Sequence, residues 1–146
     1  MKKMSYTFVC IGTNKIISDS FGPRVGNKLK KVFYLSPEIN VYGTMKNPIH
    51  LKNTRMFLDE IKNEKQIILI DSAIGKKEEI GNTYVNRGGT EIGKAFNKSI
   101  YFPANLNIKT VIGSKEYMPN YSINQIEKIA DDIAIKIVNI VLNLPV

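Results

Sequence analysis

FVCIGTNKIISDSFGPRVG, residues 8–26, is the stretch that decides the fold. It begins with the apolar run of a short strand, turns at Gly12, reaches an acid at Asp19 and opens a helix. Pro23 falls in the first turn of that helix, where its missing N–H breaks no hydrogen bond. The stretch therefore predicts a strand–turn–helix unit with a carboxylate between the strand and the helix.

A second apolar run, residues 67–70, ends in Asp71. All four residues of the run are apolar, which is typical of a strand that helices cover on both faces. A strand over residues 39–42 and a helix over residues 53–63 are predicted between the two runs, so the order is β-α-β-α-β. This order predicts a doubly wound α/β fold, in which Asp19 and Asp71 meet at the carboxyl edge of a parallel sheet.

The rest of the chain is expected to complete a single domain over residues 1–146, because no repeat or linker interrupts it. Strands are predicted over residues 80–86, 99–102 and 107–113, with a loop containing a helical turn over residues 87–97. The first of these strands is expected to run antiparallel, because no helix-length segment precedes it. Ser122 and Gln125 form the capping box of a last helix that reaches about residue 142.

Two helices are predicted to pack through an apolar side. In the helix over residues 53–63 that side consists of Met56, Phe57 and Ile61. In the last helix it consists of Ile123, Ile126, Ile129, Ala130, Ile133, Ile137, Ile140 and Val141. Because both patterns follow ordinary helical spacing, they indicate core packing.

Composition narrows the class of protein. No apolar run approaches the roughly 20 residues that cross a bilayer, and the basic amino end is not followed by a cleavage site. A cytoplasmic location is therefore expected. A single cysteine, Cys10, excludes an internal disulfide and a zinc site built from cysteines, and its apolar surroundings predict burial.

The net charge is +8, and a positive charge of this size can indicate that a protein binds nucleic acid. The lysines are scattered, however, and no RNA-binding motif or zinc finger accompanies them. We therefore expect a solvated lysine-rich surface and no direct contact with nucleic acid. An acidic protein partner is the alternative.

Asp19 and Asp71 are the candidate catalytic pair. Two carboxyl groups in a partly dry cleft do not ionise together easily, so one keeps a proton while the other acts as a base. The alternatives are structural: Asp19, or Ser18 before it, caps the helix, and Asp71 caps a turn through the N–H of the next residues. A capping acid can also face the cleft, so both readings stay open.

Other sites find weaker support. The turn at Gly12 lacks the glycine spacing of a dinucleotide fingerprint, and no P-loop or nucleophile elbow occurs. His50, the only histidine, follows the second strand and is expected near the same edge. With Asp19 and Asp71 it would complete a metal site of three ligands, which is a minority hypothesis; no cofactor is expected otherwise.

Taken together, several motifs resemble the YyaC-type sporulation proteins, relatives of the germination spore protease. The motifs that carry the resemblance are CIGT (10–13), DSFGPRVG (19–26), VYGT (41–44), NPIH (47–50) with Asn53, IDSA (70–73) and GGTEIGK (88–94). The resemblance implies a three-layer α/β/α, phosphorylase/hydrolase-like fold shared with hydrogenase-maturation endopeptidases. It also implies that Asp19 and Asp71 occupy the positions of the catalytic aspartates. Hydrogenase-maturation endopeptidases bind nickel there through two acids and a histidine.

The resulting hypothesis is a sporulation-associated, aspartic-type peptidase in the cytoplasm of the sporulating cell or forespore. Its substrate is expected to be a protein or peptide, such as the small acid-soluble spore proteins, and homo-oligomers stay open. Residues expected to contact the substrate are Gly12, Thr13, Asn14, Gly43, Thr44, His50, Gly88 and Gly89, with backbone N–H groups of the two glycine turns lining the cleft. The alternatives are a non-catalytic binding protein, favoured by departures from the family loop at Gly88 and Glu91, and a metal-binding maturation endopeptidase.

Overall fold

The chain forms a twisted sheet with helices on both sides, and a computed structural model describes residues 5–64, 66–93 and 99–143. In chain order the elements are β1 (Tyr6–Cys10), α1 (Phe21–Val32), β2 (Ile39–Tyr42), α2 (Thr54–Ile61), β3 (Ile67–Gly75), β4 (Thr83–Arg87), β5 (Thr90–Ile92), β6 (Ile100–Phe102), β7 (Leu106–Ser114) and α3 (Ile123–Leu142). A 3-10 turn (Ser18–Ser20) leads into α1, and a second one (Lys77–Glu79) precedes β4.

The sheet is mostly parallel, as predicted. Its strand order is β2-β1-β3-β7-β4, and only β4 pairs antiparallel within it. The chain leaves β1 for β2 on one side and later returns to β3 on the other. The carboxyl ends of β1 and β3 therefore flank the point where the winding reverses, which is where open α/β sheets bind ligands.

Two hydrophobic cores lie on opposite faces of the sheet, and each face takes alternate residues of the central strands. We call the first the α1/α3 face: α1 and α3 pack there on Phe8 and Cys10 of β1. We call the second the α2 face: α2 and the hairpin of β5 and β6 pack there on Val9 of β1 and Leu69 of β3. The layers are therefore helix, sheet and helix, the predicted three-layer α/β/α fold, and Cys10 is fully buried as expected.

Glycines allow α1 to lie directly on the strand ends. A Cβ atom on Gly22 would come within 2.0 Å of the Ile11 carbonyl oxygen, and one on Gly26 within 1.9 Å of the Gly43 carbonyl oxygen. Gly43 itself has a φ of +89°, and a Cβ there would lie 1.9 Å from the Cys10 carbonyl oxygen. Main chain thus touches main chain, and no side chain fits between these segments.

An ion-pair network joins α1 to α3 at the edge of the α1/α3 face. Arg24 and Lys28 of α1 both bind Glu127 of α3, and the Lys28 ammonium lies 2.8 Å from Glu127 and 2.6 Å from Asp131. Burial lowers the pKa of Lys28 and its two carboxylate partners raise it. The effect of the carboxylates is larger in sum, so the pKa is raised. The network supports the close contact of the two helices.

Several predicted elements have different limits or surroundings. The region predicted as a loop over residues 87–97 contains β5 as far as it is described, because residues 90–92 pair with β6. Residues 94–97 of this region, which include Lys94, lie outside the described residues. In α2, Met56 is 72% exposed, whereas Phe57 and Ile61 are buried as predicted.

The last helix follows its prediction closely. Ser122 accepts a hydrogen bond from the Gln125 N–H, and the Gln125 side chain accepts one from the Ser122 N–H, so the capping box is confirmed. The buried apolar side of this helix is narrower than predicted, however. Ile123 and Ile140 are more than half exposed, since they lie beyond the width that α1 and the sheet cover. In the described chain, no helix is both long and apolar enough to cross a membrane.

Candidate functional site

Asp19 lies in the 3-10 turn between β1 and α1, beside the carboxyl end of β1. The Thr13 N–H donates to the Asp19 carbonyl oxygen at 2.9 Å, and a Cβ on Gly12 would lie 2.4 Å from the same oxygen. Ser20 is the N-cap of α1, and its side chain makes no capping hydrogen bond. The capping role proposed for Ser18 or Asp19 is therefore wrong. Within the described chain, the Asp19 carboxylate accepts no hydrogen bond from protein groups.

The residue after Asp19 ties this turn to the ion-pair network. The Ser20 hydroxyl donates to the Ile17 carbonyl oxygen at 2.7 Å and accepts from the Arg24 Nε–H at 2.8 Å. Arg24 in turn binds Glu127. Because Ser20 is buried and doubly bonded, the turn that carries Asp19 is held at both its start and its end.

Asp71 lies within β3, because the strand continues four residues beyond the predicted end, to Gly75. Its carboxylate accepts the Ser72 N–H at 2.8 Å, which is the contact that the capping alternative predicted, although no turn follows. Leu69, two residues earlier, is buried in the core of the α2 face. Asp71 therefore projects from the same face, where it is half-buried.

The pKa of each acid is raised, and the charge of Asp19 contributes to the shift of Asp71. Burial raises the pKa of Asp19 to about 6. Burial and then the charge of Asp19 raise the pKa of Asp71 to about 8, against smaller opposing effects of Lys109 and the Ser72 N–H. At neutral pH these shifts favour the protonated form of Asp71 and the ionised form of Asp19.

Lys109 is a charged neighbour of Asp71 that the sequence analysis missed. It is the register partner of Asp71 on the adjacent parallel strand, and its charge lowers the Asp71 pKa. The available signal was a single lysine inside the β-branched run NIKTVIG. Its relation to Asp71 depends on pairing between segments almost forty residues apart, which spacing does not reveal.

The glycine turns do not offer the backbone donors that were expected. The N–H groups of Gly12, Thr13 and Gly88 all donate to carbonyl oxygens of the chain, at 2.9–3.0 Å. Gly89 packs against the Phe102 carbonyl oxygen, and the Asn107 side chain binds the Gly88 carbonyl oxygen at 3.0 Å. These internal bonds leave those three N–H groups unable to bind a substrate oxygen. Gly88 lies beside Asn105, just before the start of β7, whereas Asp71 pairs with Lys109 further along that strand.

The other predicted contact residues lie elsewhere. Gly43, Thr44 and His50 line a groove of about 450 Å³ between the edge strand β2 and α2, and neither acid lines it. The Asn14 side chain is exposed and donates to the Met45 carbonyl oxygen at 2.9 Å, so it bridges two loops. Of the residues predicted to bind substrate, three therefore line this groove, and the others lie outside it.

A nickel site of two acids and one histidine does not fit the donors present. In the ranges that the structure describes, no three side chains among His, Cys, Asp and Glu lie close enough to hold a metal ion. His50 lies in the groove beside β2, where its Nδ1 accepts the Lys52 N–H at 3.2 Å. The metal hypothesis for Asp19, Asp71 and His50 is therefore not supported.

Comparison with known proteins agrees with the fold and the motifs. Residues 1–140 match the family model "Protein of unknown function (DUF1256)". The uncharacterized protein YyaC of Bacillus subtilis (strain 168) is 30% identical over 113 residues, which are 75% of this chain and 54% of that protein. The chain thus spans about half the length of this curated relative.

A solved structure shares the same scaffold. The NiFe hydrogenase maturation protease HycI from Thermococcus kodakarensis KOD1 superposes with a TM-score of 0.67 at 18% identity, over 97% of this chain and 94% of that chain. At this identity the likeness shows the fold alone. The chain belongs to the DUF1256 family, is similar to YyaC, and has the fold seen in this hydrogenase maturation protease.

Proposed function

We propose that this chain is a peptide-bond hydrolase in which Asp19 is the base and Asp71 the acid. One observation carries the proposal: at the reversal point of the sheet the charge of Asp19 acts on Asp71, and burial raises the pKa of the two carboxyl groups to about 6 and about 8. Pairs of acids whose surroundings separate their proton affinities are typical of hydrolytic sites.

The roles follow from which acid keeps its proton. Ionised Asp19 accepts a proton from water while the water oxygen bonds to the peptide carbonyl carbon, and Asp71 gives its proton to the carbonyl oxygen. The tetrahedral intermediate then collapses. Its hydroxyl returns a proton to Asp71, Asp19 gives its proton to the amide nitrogen, and the C–N bond breaks. Both acids end in their starting states.

The resemblance to sporulation proteins directs the choice of substrate. Small acid-soluble spore proteins are the substrates to test first, and the cytoplasm of the sporulating cell or forespore is the proposed place of action. The protease-like scaffold supports the reaction class, and the early motifs support the family relation.

The test is cleavage of small acid-soluble spore proteins, read by mass spectrometry. We expect the wild type to cut them, and Asp71→Asn and Asp19→Asn to reduce the rate about 10²- to 10⁴-fold without lowering the melting temperature. Asp59→Asn is the matched control, because Asp59 is an exposed acid on α2. Full cleavage by Asp71→Asn would contradict the proposal and leave Asp71 a structural role.

A non-catalytic peptide-binding protein is the second candidate. It is favoured because the N–H groups of Gly12, Thr13 and Gly88 are bound internally and do not form an oxyanion hole. This candidate predicts that spore proteins bind the wild type and Asp71→Asn equally well and remain intact. Titration calorimetry beside the cleavage assay separates the two candidates.

A further inference from the structure

We propose that Lys109 is the third member of the acid site: the strand register holds its ammonium near Asp71, where it stabilises the negative charge that Asp71 acquires on giving up its proton. The catalytic meaning of this inference rests on the proposed function. The effect of Lys109 on Asp71 itself rests on the geometry of the sheet and is measurable without any substrate.

The register decides which way Lys109 points. Asp71 on β3 pairs with Lys109 on β7 in a parallel ladder, and Leu69 pairs with Asn107 two residues earlier. Neighbouring strands lie about 4.8 Å apart, and paired residues project from the same face. Since Leu69 is buried in the α2-face core, Asp71 and Lys109 both project from that face.

The surroundings of Lys109 differ from those of a structural lysine. Lys109 is half-buried, and within the described residues its ammonium makes no hydrogen bond or ion pair. Lys28, by contrast, has two carboxylate partners within 2.8 Å. The charge of Lys109 is therefore not neutralised by a neighbour and acts on Asp71, whose pKa it lowers.

Few other charged or titratable groups face this pair. Asp19 opposes the ionisation of Asp71, and the Ser72 N–H favours it. Across β7, Tyr84 of β4 pairs with Lys109, and its hydroxyl donates to the Glu79 carboxylate at 2.8 Å. Among the described residues, Lys109 is thus the one cation found to favour release of the Asp71 proton.

The position of Lys109 beside Asp71 offsets a disadvantage of the raised Asp71 pKa. Burial and Asp19 make Asp71 hold its proton tightly, which keeps it protonated but also makes it a poor acid. A nearby cation stabilises the ionised form at the moment the proton leaves. Lys109 therefore acts through Asp71 as a positioning residue, and it adjusts the acid without forming a bond that would keep Asp71 ionised.

The decisive measurement is the titration of the Asp71 carboxyl carbon by NMR in the ligand-free protein, with the signal assigned by its loss in Asp71→Asn. We expect Lys109→Met to move the Asp71 midpoint upward by about one pH unit, a tenfold change in proton affinity, and Lys109→Arg to keep it near the wild type. Lys128→Met is the control, since Lys128 is an exposed lysine of α3. Lys109→Gln replaces the methionine variant if that one does not fold.

An unchanged Asp71 midpoint in Lys109→Met overturns the inference, whatever the enzyme does. In the cleavage assay, Lys109→Met is expected to shift only the alkaline limb of the kcat/KM profile upward, and Lys109→Arg to restore it. If Asp71→Asn cleaves normally while the midpoint still moves in Lys109→Met, the proposed function fails and the pairing of Lys109 with Asp71 stands.

Discussion

The two faces of the sheet differ in whether their charged side chains form ion pairs. On the α1/α3 face, the core is apolar and the cations at its edge are paired, as Lys28 is with two carboxylates. On the α2 face, Asp71 and Lys109 lie half-buried beside each other without an ion pair. The comparison teaches that paired charges lie on one side of the sheet and an unpaired acid and lysine on the other, so substitutions on the two faces should have different consequences.

The largest expected effect is on the α1/α3 side. Gly26→Ala would place a Cβ 1.9 Å from the Gly43 carbonyl oxygen, so the helix must move off the strand ends. We expect the free energy of unfolding to fall by at least about 3 kcal/mol. Gly81→Ala is the control: Gly81 has a φ of +96° and open space around it, so only backbone strain of about 1–2 kcal/mol applies. Urea denaturation measures both, and equal losses would contradict the close-contact argument.

The next effect concerns the two acids, Asp19 and Asp71, and depends on pH. Asp19 and Asp71 have folded-state pKa values of about 6 and about 8, above the usual value of 3.8. The folded protein therefore binds more protons than the unfolded chain between about pH 4 and pH 8. The stability that these acids contribute is fully present below pH 4 and is lost as the pH rises through 6 and 8.

Asp71→Asn should remove most of this dependence, because asparagine does not ionise. We expect the variant to gain stability relative to the wild type as the pH is raised from 5 to 8.5, in urea denaturation at each pH. Parallel curves for the two proteins would show that Asp71 ionises as easily in the folded chain as in the unfolded chain.

The smallest expected effect is that of nickel. His50 and the two acids do not form a three-donor group, and the described ranges contain no other such group, so we expect no preferential binding of the ion to the folded state. Nickel should therefore change the melting temperature by less than about 1 °C, in both the wild type and His50→Ala. A clear rise in the wild type that is absent from His50→Ala would revive the metal hypothesis.

Patterns among neighbouring residues were sufficient to predict much of the fold. The limits of β2 and the start of α3 follow the prediction, because they depend on a short apolar run and a capping box within a few residues. The strand β6 was predicted, but β5 was missed because residues 90–92 become a strand only by pairing with residues about ten positions later. The exposure of Met56 likewise depends on which part of α2 the sheet leaves uncovered.

The candidate site shows the same division. Asp19 and Asp71 were identifiable because each is an acid near the end of an apolar run. Lys109 was not, since its significance comes from strand register, and the capping role of Asp19 was wrong because the 3-10 turn moves the N-cap of α1 to Ser20. The bound N–H groups of the glycine turns also depend on tertiary contacts that spacing does not encode.

The main-chain contacts at Gly22, Gly26 and Gly43 have an evolutionary consequence. They hold the frame around position 19 without help from the carboxylate there, so a descendant could exchange that acid and still fold in the same way. Shape and activity can therefore be inherited separately within the family. Sorting family sequences by whether acids stand at the positions of Asp19 and Asp71 would separate candidate hydrolases from relatives that keep only the scaffold.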